Sequence, residues 1–330
     1  MATTIGIAIT GSGSALPTVS LDNQGLAQIV ETSDDWIASR TGIRYRRLAT
    51  AEESLAGLAT QASQKALEMA GLSPTDVDLM ILATSTADDL FGSASQVQAL
   101  LGAKNAVAFD MTAACSGFVF GLATAAQFIR TGVYQRVLLI GGDILSRWVD
   151  WSDRRTCILF GDGAGAVVLQ ASTQDNLLGF ELRSDGSQND CLNLAYAPQA
   201  EDLVPGVKVS QGQYQRITMN GQEVYRFAVK KVPEVIEKAL FRASLSVEQV
   251  DWLLLHQANQ RILDAVASRL KIPGEKVISN LENYGNTSAA SIPIALDEAV
   301  RQGRVKSGDV IVAAGFGAGL TWGATIFKWG

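Results

Sequence analysis

The sequence holds a single histidine, His256. Within one chain this excludes a metal centre that needs two imidazoles, and it leaves His256 as the only imidazole for acid–base work. Cysteines are also few. Cys115, Cys157 and Cys191 are odd in number and far apart, which predicts free thiols in a reducing compartment rather than a disulfide framework. Basic residues are outnumbered: 27 Lys and Arg against 33 Asp and Glu give a net charge of −6, which excludes a generally basic nucleic-acid binder. No unbroken apolar run approaches the ~18 residues of a membrane span. Residues 1–17 have neither a basic start nor a long apolar block, so no secretory leader and a cytoplasmic location are expected. A P-loop and a Gly-x-Ser-x-Gly elbow are missing too, which argues against nucleotide and serine hydrolases. What is abundant is core material: 47% of the 330 residues are hydrophobic and only 18% are charged. The length allows two medium domains or one large one at about 100–200 residues each.

The chain repeats itself. Lys65-Ala-Leu, Leu72-Ser73 and Val77-Asp78 recur as Lys238-Ala-Leu, Leu245-Ser246 and Val250-Asp251, at a constant offset of 173. In each copy a helical stretch ends, a Leu-Ser turn follows, and an apolar run begins after Val-Asp. A second match lies near offset 171, where Thr131-Gly132 and Gln302-Gly303 each close a helix before a strand-like run. The pattern predicts a duplicated α/β architecture. Helices are expected at 54–70, 116–130, 221–242, 258–270 and 288–301. Strands are expected at 5–10, 78–84, 106–110, 136–140, 157–160, 165–170, 251–255, 309–314 and 321–328. Segment 171–215 is weakly periodic and reads as a linker with a loop-rich insertion.

Three positions stand out chemically. Cys115 sits between a strand and a helix among Ala113, Ala114, Ser116 and Gly117; the helix N-terminus there favours a thiolate, although cysteine is also a common small core residue. His256 follows the apolar run Leu253–Leu255 directly, at the carboxyl end of a strand, where open α/β sheets place their sites; it reads equally as a satisfied structural histidine. Asn286 precedes the Ala-rich 288–301 stretch and could simply cap it. Cys115 lies 17 residues before Gly132, and Asn286 lies 17 before Gly303, which predicts equivalent junctions in the two halves. The clusters Gly161-Asp-Gly163-Ala-Gly165 and Gly315-Phe-Gly317-Ala-Gly319 lead into strand-like runs, so they lack the helix that a dinucleotide site requires.

In order along essentially the whole chain, Thr32-Ser-Asp-Asp-Trp36 to Ile43, Ala113-Ala-Cys115-Ser-Gly-Phe118, Phe160-Gly-Asp-Gly-Ala-Gly-Ala166, His256-Gln-Ala-Asn259, Asn283-Tyr-Gly-Asn-Thr-Ser-Ala-Ala-Ser291 and Gly315-Phe-Gly-Ala-Gly319 resemble the thiolase superfamily. Within it they are most similar to the β-ketoacyl-[acyl-carrier-protein] synthase III family. The resemblance implies a thiolase-like duplicated fold, an αβαβα layered core with halves 1–173 and 174–330. It implies an acyltransferase with a Cys115–His256–Asn286 triad and an oxyanion hole from the backbone N–H groups of Cys115 and Ala318. Relatives that elongate acyl chains use two histidines, which this chain cannot supply.

The implied reaction joins an acyl-CoA primer, most simply acetyl-CoA, to malonyl-carrier protein with loss of CO2, starting fatty-acid synthesis. Related condensing enzymes of specialised metabolism and a catalytically silent acyl-binding subunit are the alternatives. The resemblance further assigns Trp36, Arg40, Arg154, Gly221, Tyr225 and Asn259 to CoA binding, and Phe91 to an acyl pocket closed across a homodimer. Around Phe91 the sequence reads Asp88-Asp-Leu-Phe91-Gly92 instead of the family's His-Ala-Phe-Pro. Arg226, Gln257 and Arg261 are expected to dock acyl-carrier protein, in a stretch, 226–276, with nine basic and six acidic residues. No cofactor and no metal are implied, since acyl-CoA is a substrate.

Overall fold

The computed structural model describes residues 5–330. Strands β1 (Gly6–Ala15), β2 (Leu79–Ala83), β3 (Val107–Met111), β4 (Arg136–Asp143) and β5 (Gly163–Ser172) form one sheet in the order β1-β5-β4-β2-β3. Strands β6 (Leu177–Ser184), β7 (Trp252–Leu255), β8 (Val277–Ile278), β9 (Val310–Gly317) and β10 (Thr321–Lys328) form a second in the order β6-β10-β9-β7-β8. The two orders are the same when each strand is advanced by five. The pairing senses match as well: antiparallel on the β1 and β6 side, parallel toward β3 and β8. This is a duplication at the level of topology.

The longer helices are α1 (Asp34–Thr41), α2 (Leu55–Ala70), α3 (Ala94–Leu101), α4 (Gly117–Arg130), α5 (Gly221–Ala243), α6 (Gln260–Leu270) and α7 (Ser291–Arg301). Three hydrophobic clusters define their layers. One packs α2 and α3 on the outer face of the first sheet, and another packs α5 and α6 on the outer face of the second. The third lies between the sheets and contains α4 and α7. Central strands are therefore buried on both faces, which is why β2 reads Leu-Met-Ile-Leu-Ala with no polar alternation. The result is the expected five-layer αβαβα fold.

The 173-residue offset has a physical counterpart. After α2 and after α5, a short turn is closed by the same reciprocal capping box, Ser73 with Asp76 and Ser246 with Gln249. The following aspartates then clamp the neighbouring strand alike: Asp78 accepts from the Arg136 N–H and Asp251 from the Val310 N–H, both at 2.9 Å.

Three expectations are corrected. Residues 157–160 form no strand; they are a buried turn in which Phe160 alone bridges to Asn286. A short buried apolar run carries no periodicity to separate the two. Segment 171–215 is not a plain linker: it holds β6 and a hairpin pairing Tyr196–Val204 with Val207–Tyr214, whose exposed residues hide the alternation of a buried face. Helix α7 begins at Ser291, three residues after the expected start, because Ser288–Ala290 form a separate tight turn.

Candidate active site

Cys115 lies in a tight turn, Ala114–Ser116, between β3 and α4. Its counterpart in the second half is the turn Ser288–Ala290 ahead of α7. Both turns open on a non-glycine residue in the left-handed region, Ala114 at φ 47° and Ser288 at φ 52°. Such residues are costly, and two at matching places mark turns held by their surroundings. The match pairs Cys115 with Ala289, not with Asn286. Counting back from the closing glycines is off by three because α7 has 11 residues and α4 has 14. Nor does Asn286 cap α7. Its side-chain oxygen accepts from the Ser288 N–H at 2.9 Å, two residues on, and shapes the turn instead.

The halves interlock through glycine. A Cβ on Gly141 of β4 would meet the Ala289 carbonyl oxygen at 2.3 Å, and one on Gly315 of β9 would meet Ser116 Cα at 2.9 Å. Each central strand thus admits the other half's turn against its backbone. Gly317 continues this contact: a Cβ there would lie 2.7 Å from the Cys115 nitrogen.

A cavity of about 1070 Å³ opens over the junction. Cys115, Ser288, Ala318 and Phe160 line its floor, while Trp148, Tyr214, Leu194 and Phe91 are among its walls. Cys115 is 7% exposed, and the Ser288 hydroxyl donates to its sulfur at 3.4 Å. Burial pushes the Cys115 thiol up to about 12, with the charge of Asp143 adding to the shift and the Ser288 hydrogen bond opposing it. In the resting chain desolvation therefore outweighs the help expected from the helix N-terminus.

His256 and Asn286 are buried beside this junction. His256 is 1% exposed. Its Nδ1 lies 2.7 Å from the Ser291 hydroxyl, and its ring meets Phe316 edge-on at 5.2 Å. Burial with no facing charge lowers its pKa to about 3, so the imidazole is neutral at physiological pH. Asn286 is tied by its backbone to Leu159 and Gly161 on either side of Phe160. All three expected residues thus reach one small region: Cys115 touches Ser288, Asn286 shapes the Ser288 turn, and His256 is held by Ser291 at the start of α7.

Of the residues expected on a CoA path, Trp36, Arg40, Arg154 and Asn259 lie together. The Arg40 and Arg154 guanidinium carbons lie 4.7 and 5.2 Å from the Trp36 ring centroid. Asn259 caps α6 through the Arg261 N–H and donates to the Arg40 carbonyl oxygen at 3.1 Å, so its side chain is already engaged. Gly221 and Tyr225 lie in the first turns of α5, apart from this cluster in sequence, and both are exposed. Phe91 is fully exposed where it borders the cavity. Arg226 and Arg261 are on the surface. Gln257 is not: it is 1% exposed, donates to the Leu255 carbonyl and accepts from the Asn280 N–H. Contrary to expectation, it offers no surface to a partner protein.

Sequence reasoning missed Ser288, Ser291 and Asp143. The two serines lay inside the Asn283–Ser291 motif but were overshadowed by Asn286. Asp143 ends a strand as Gly141-Gly142-Asp143, and a lone acid after an apolar strand that stops in glycines was the available signal. No cluster of His, Cys, Asp and Glu that could hold a metal is found among the described residues.

Comparison with known proteins agrees with this architecture. Residues 109–186 match the 3-oxoacyl-[acyl-carrier-protein] synthase III family, and residues 240–329 match its C-terminal counterpart. A β-ketoacyl-[acyl-carrier-protein] synthase III of Nostoc sp. is 71% identical over 326 residues, covering 99% of both chains. The crystal structure of the 3-oxoacyl-[acyl-carrier-protein] synthase III of Aquifex aeolicus superposes with a TM-score of 0.90 at 46% identity, over 98% of this chain and 100% of that one. The Pseudomonas aeruginosa enzyme of the same name gives 0.89 at 42%, over 98% of each. With near-complete coverage at this identity, the chain belongs to the β-ketoacyl-[acyl-carrier-protein] synthase III family.

Proposed function

We propose that this chain condenses an acyl-CoA primer with malonyl-[acyl-carrier protein] to give 3-oxoacyl-[acyl-carrier protein], CoA and CO2, the step that starts type II fatty-acid synthesis. The observation that carries the reading is Cys115 on the lining of a large, mainly apolar cavity that Ala318 also lines. Attack of Cys115 on the thioester transfers the acyl group to sulfur and releases CoA. The backbone N–H groups of Cys115 and Ala318 would hold the tetrahedral oxyanion, a donor whose loss typically costs ~10²–10³ in rate. Malonyl-carrier protein then loses CO2 and leaves an enolate. Neutral His256 and Asn286 suit it as hydrogen-bond donors, since asparagine has no useful base. The carbanion attacks acyl-Cys115, forms the carbon–carbon bond and frees the sulfur. The carbon nucleophile comes from decarboxylation, so the route calls on no cofactor.

Acetyl-CoA is the primer we propose. Trp36, Arg40, Arg154, Gly221, Tyr225 and Asn259 would bind CoA, with the stacked Trp36 group as the anchor. Arg226 and Arg261 would meet the acidic carrier protein. Leu90 and Phe91 stand exposed at the open side of the cavity, which supports a homodimer in which Phe91 closes the partner's acyl pocket. Halves divided near 173, and a cytoplasmic location, complete the reading; no helix of the described chain is long and apolar enough to cross a membrane. A priming β-ketosynthase of the R1128 polyketide pathway shares the fold at a TM-score of 0.90 but only 34% identity, which favours the fatty-acid reading over a specialised one.

The test is incubation with labelled acetyl-CoA, digestion and peptide mapping, followed by addition of malonyl-carrier protein. Label on the Cys115 peptide that is chased into acetoacetyl-carrier protein is the expected outcome. A chain that binds acyl-CoA yet never labels Cys115 would be a silent subunit.

A further inference from the structure

One ring nitrogen of His256 is held and the other is free. Nδ1 lies 2.7 Å from the hydroxyl of Ser291, the first residue of α7. Among the described residues Nε2 has no hydrogen-bond partner, yet it is not one of the buried polar atoms left orphaned. It is therefore the nitrogen able to meet a substrate. The ring has little freedom to turn. It is 1% exposed and meets Phe316 edge-on at 5.2 Å, and the His256 backbone N–H is tied to the Ala314 carbonyl at 2.8 Å.

The hydrogens at Ser291 decide which of the two nitrogens carries the proton. The hydroxyl oxygen already accepts from the Gln257 N–H at 3.3 Å. Ser291 is 1% exposed, so its own proton cannot turn to bulk water. Among the described residues, His256 Nδ1 is the one acceptor in reach of that proton. With Nδ1 as the donor, the oxygen would receive two protons while its own O–H stayed buried and unpaired, which native interiors avoid. With the hydroxyl as the donor, the Gln257 N–H, the Ser291 O–H and the Nδ1 lone pair are all satisfied, and the imidazole proton is left on Nε2.

We propose that Ser291 donates its hydroxyl proton to His256 Nδ1 and so fixes the imidazole as the Nε2–H tautomer. Ser291 is then a positioning residue. It acts through His256, which meets the enolate oxygen with a hydrogen rather than with a lone pair that would repel it. The inference rests on the reading of His256 as an enolate donor.

The surroundings act in the same sense. Burial lowers the His256 pKa to about 3, so at physiological pH the ring holds one proton and only its place remains to be set. Ser291 heads an 11-residue helix, whose N-terminal partial positive charge disfavours an imidazolium beside it. Gln257 completes the arrangement. Its side chain is engaged by the Leu255 carbonyl and the Asn280 N–H, and its backbone N–H is the group that turns the serine oxygen toward accepting.

The experiment exploits the single histidine: untagged protein grown on isotope-labelled histidine gives the nitrogen signals of one imidazole. Two-bond proton–nitrogen correlation spectra at neutral pH then read which nitrogen is protonated. Wild type should carry the proton on Nε2 alone, and Ser291→Ala should show both tautomers in exchange. Decarboxylation of malonyl-carrier protein, measured without acyl-CoA, should fall in Ser291→Ala by about 10–100-fold in kcat with KM nearly unchanged, as the ring loses its tautomer and its aim. Ser291→Thr, which keeps the hydroxyl, should restore the Nε2–H tautomer and most of the rate. A wild-type proton on Nδ1 overturns the proposal, and this measurement needs no variant to fold. So does a Ser291→Ala protein with the wild-type tautomer and the wild-type rate. Wild-type decarboxylation by His256→Ala would instead sink the enolate reading and leave the tautomer assignment standing.

Discussion

The bare backbone of Gly317 is pressed against Cys115, so that a single added carbon would come within 2.7 Å of the Cys115 nitrogen. The obstructing atom is main chain, which cannot swing aside. That nitrogen is also the proposed oxyanion donor, so packing and catalysis meet at one atom. Gly317→Ala should force β9 away from the Cys115 turn at about 1–3 kcal/mol in stability. It should also lower the acylation rate by about 100-fold, as loss of an oxyanion donor does. Denaturant unfolding and single-turnover acylation check the two effects. A variant with full acylation activity would separate Gly317 from the oxyanion hole.

A second expectation concerns pH. His256 titrates near its ordinary value of 6.5 in the unfolded chain but is lowered to about 3 by burial in the native one. Between these values the unfolded state binds more protons, so stability is full above the unfolded pKa and falls as the pH drops from 6.5 toward 3. The slope from this group is at most about 1.4 kcal/mol per pH unit. Asp143, whose pKa is raised by burial, acts in the opposite sense above its ordinary 3.8. Comparing urea midpoints of wild type and His256→Asn at pH 7 and pH 5 isolates the histidine. The wild type should lose more stability on acidification, and equal losses would contradict a neutral buried imidazole.

Much of this fold was written in periodicity. The strands Leu79–Ala83 and Arg136–Asp143 announce themselves as apolar runs because both faces are covered, and the repeated Lys-Ala-Leu, Leu-Ser and Val-Asp units mark equivalent corners. The hairpin over Tyr196–Tyr214 was not legible, since its residues are mostly exposed and no face had to be apolar. The site divides similarly. Cys115, His256 and Asn286 are chemically conspicuous, whereas Ser288 and Asp143 matter through a neighbour 173 residues away and a turn from the other half. Gln257 shows the converse error: a polar residue beside a key histidine looked like surface, while its amide is consumed inside the core by Leu255 and Asn280.

Carrier-protein docking can be separated from CoA binding by two arginines. Arg226 is exposed and, among the described residues, pairs only with Glu223 on its own helix. Arg261 instead donates to the Ser39 carbonyl on α1, the helix that presents Trp36 and Arg40. Charge reversal of Arg226 should therefore raise KM for malonyl-carrier protein by about 5–10-fold at low salt, less at high salt, and leave acetyl-CoA acylation intact. Arg261→Glu should raise KM for both substrates. Steady-state kinetics at two ionic strengths distinguish the pair, and an acylation defect in Arg226→Glu would count against a docking role.

Trp36 supplies the last expectation. The Arg40 and Arg154 guanidinium groups both lie over its indole, at 4.7 and 5.2 Å, as cations on an aromatic ring. An adenine ring entering here would exchange one guanidinium for a flat aromatic surface, with the other left in place. Such contacts are each worth about 0.5–2 kcal/mol, so Trp36→Ala should raise KM for acetyl-CoA by about 3–30-fold with kcat at saturation nearly unchanged. Trp36→Phe, which keeps a face but a smaller one, should fall between. Acetyl-pantetheine, which lacks the nucleotide, supplies the control: its kcat/KM should be the same in Trp36→Ala and wild type. A loss of equal size for the truncated substrate would place the damage in the fold of α1 and not in recognition of the base.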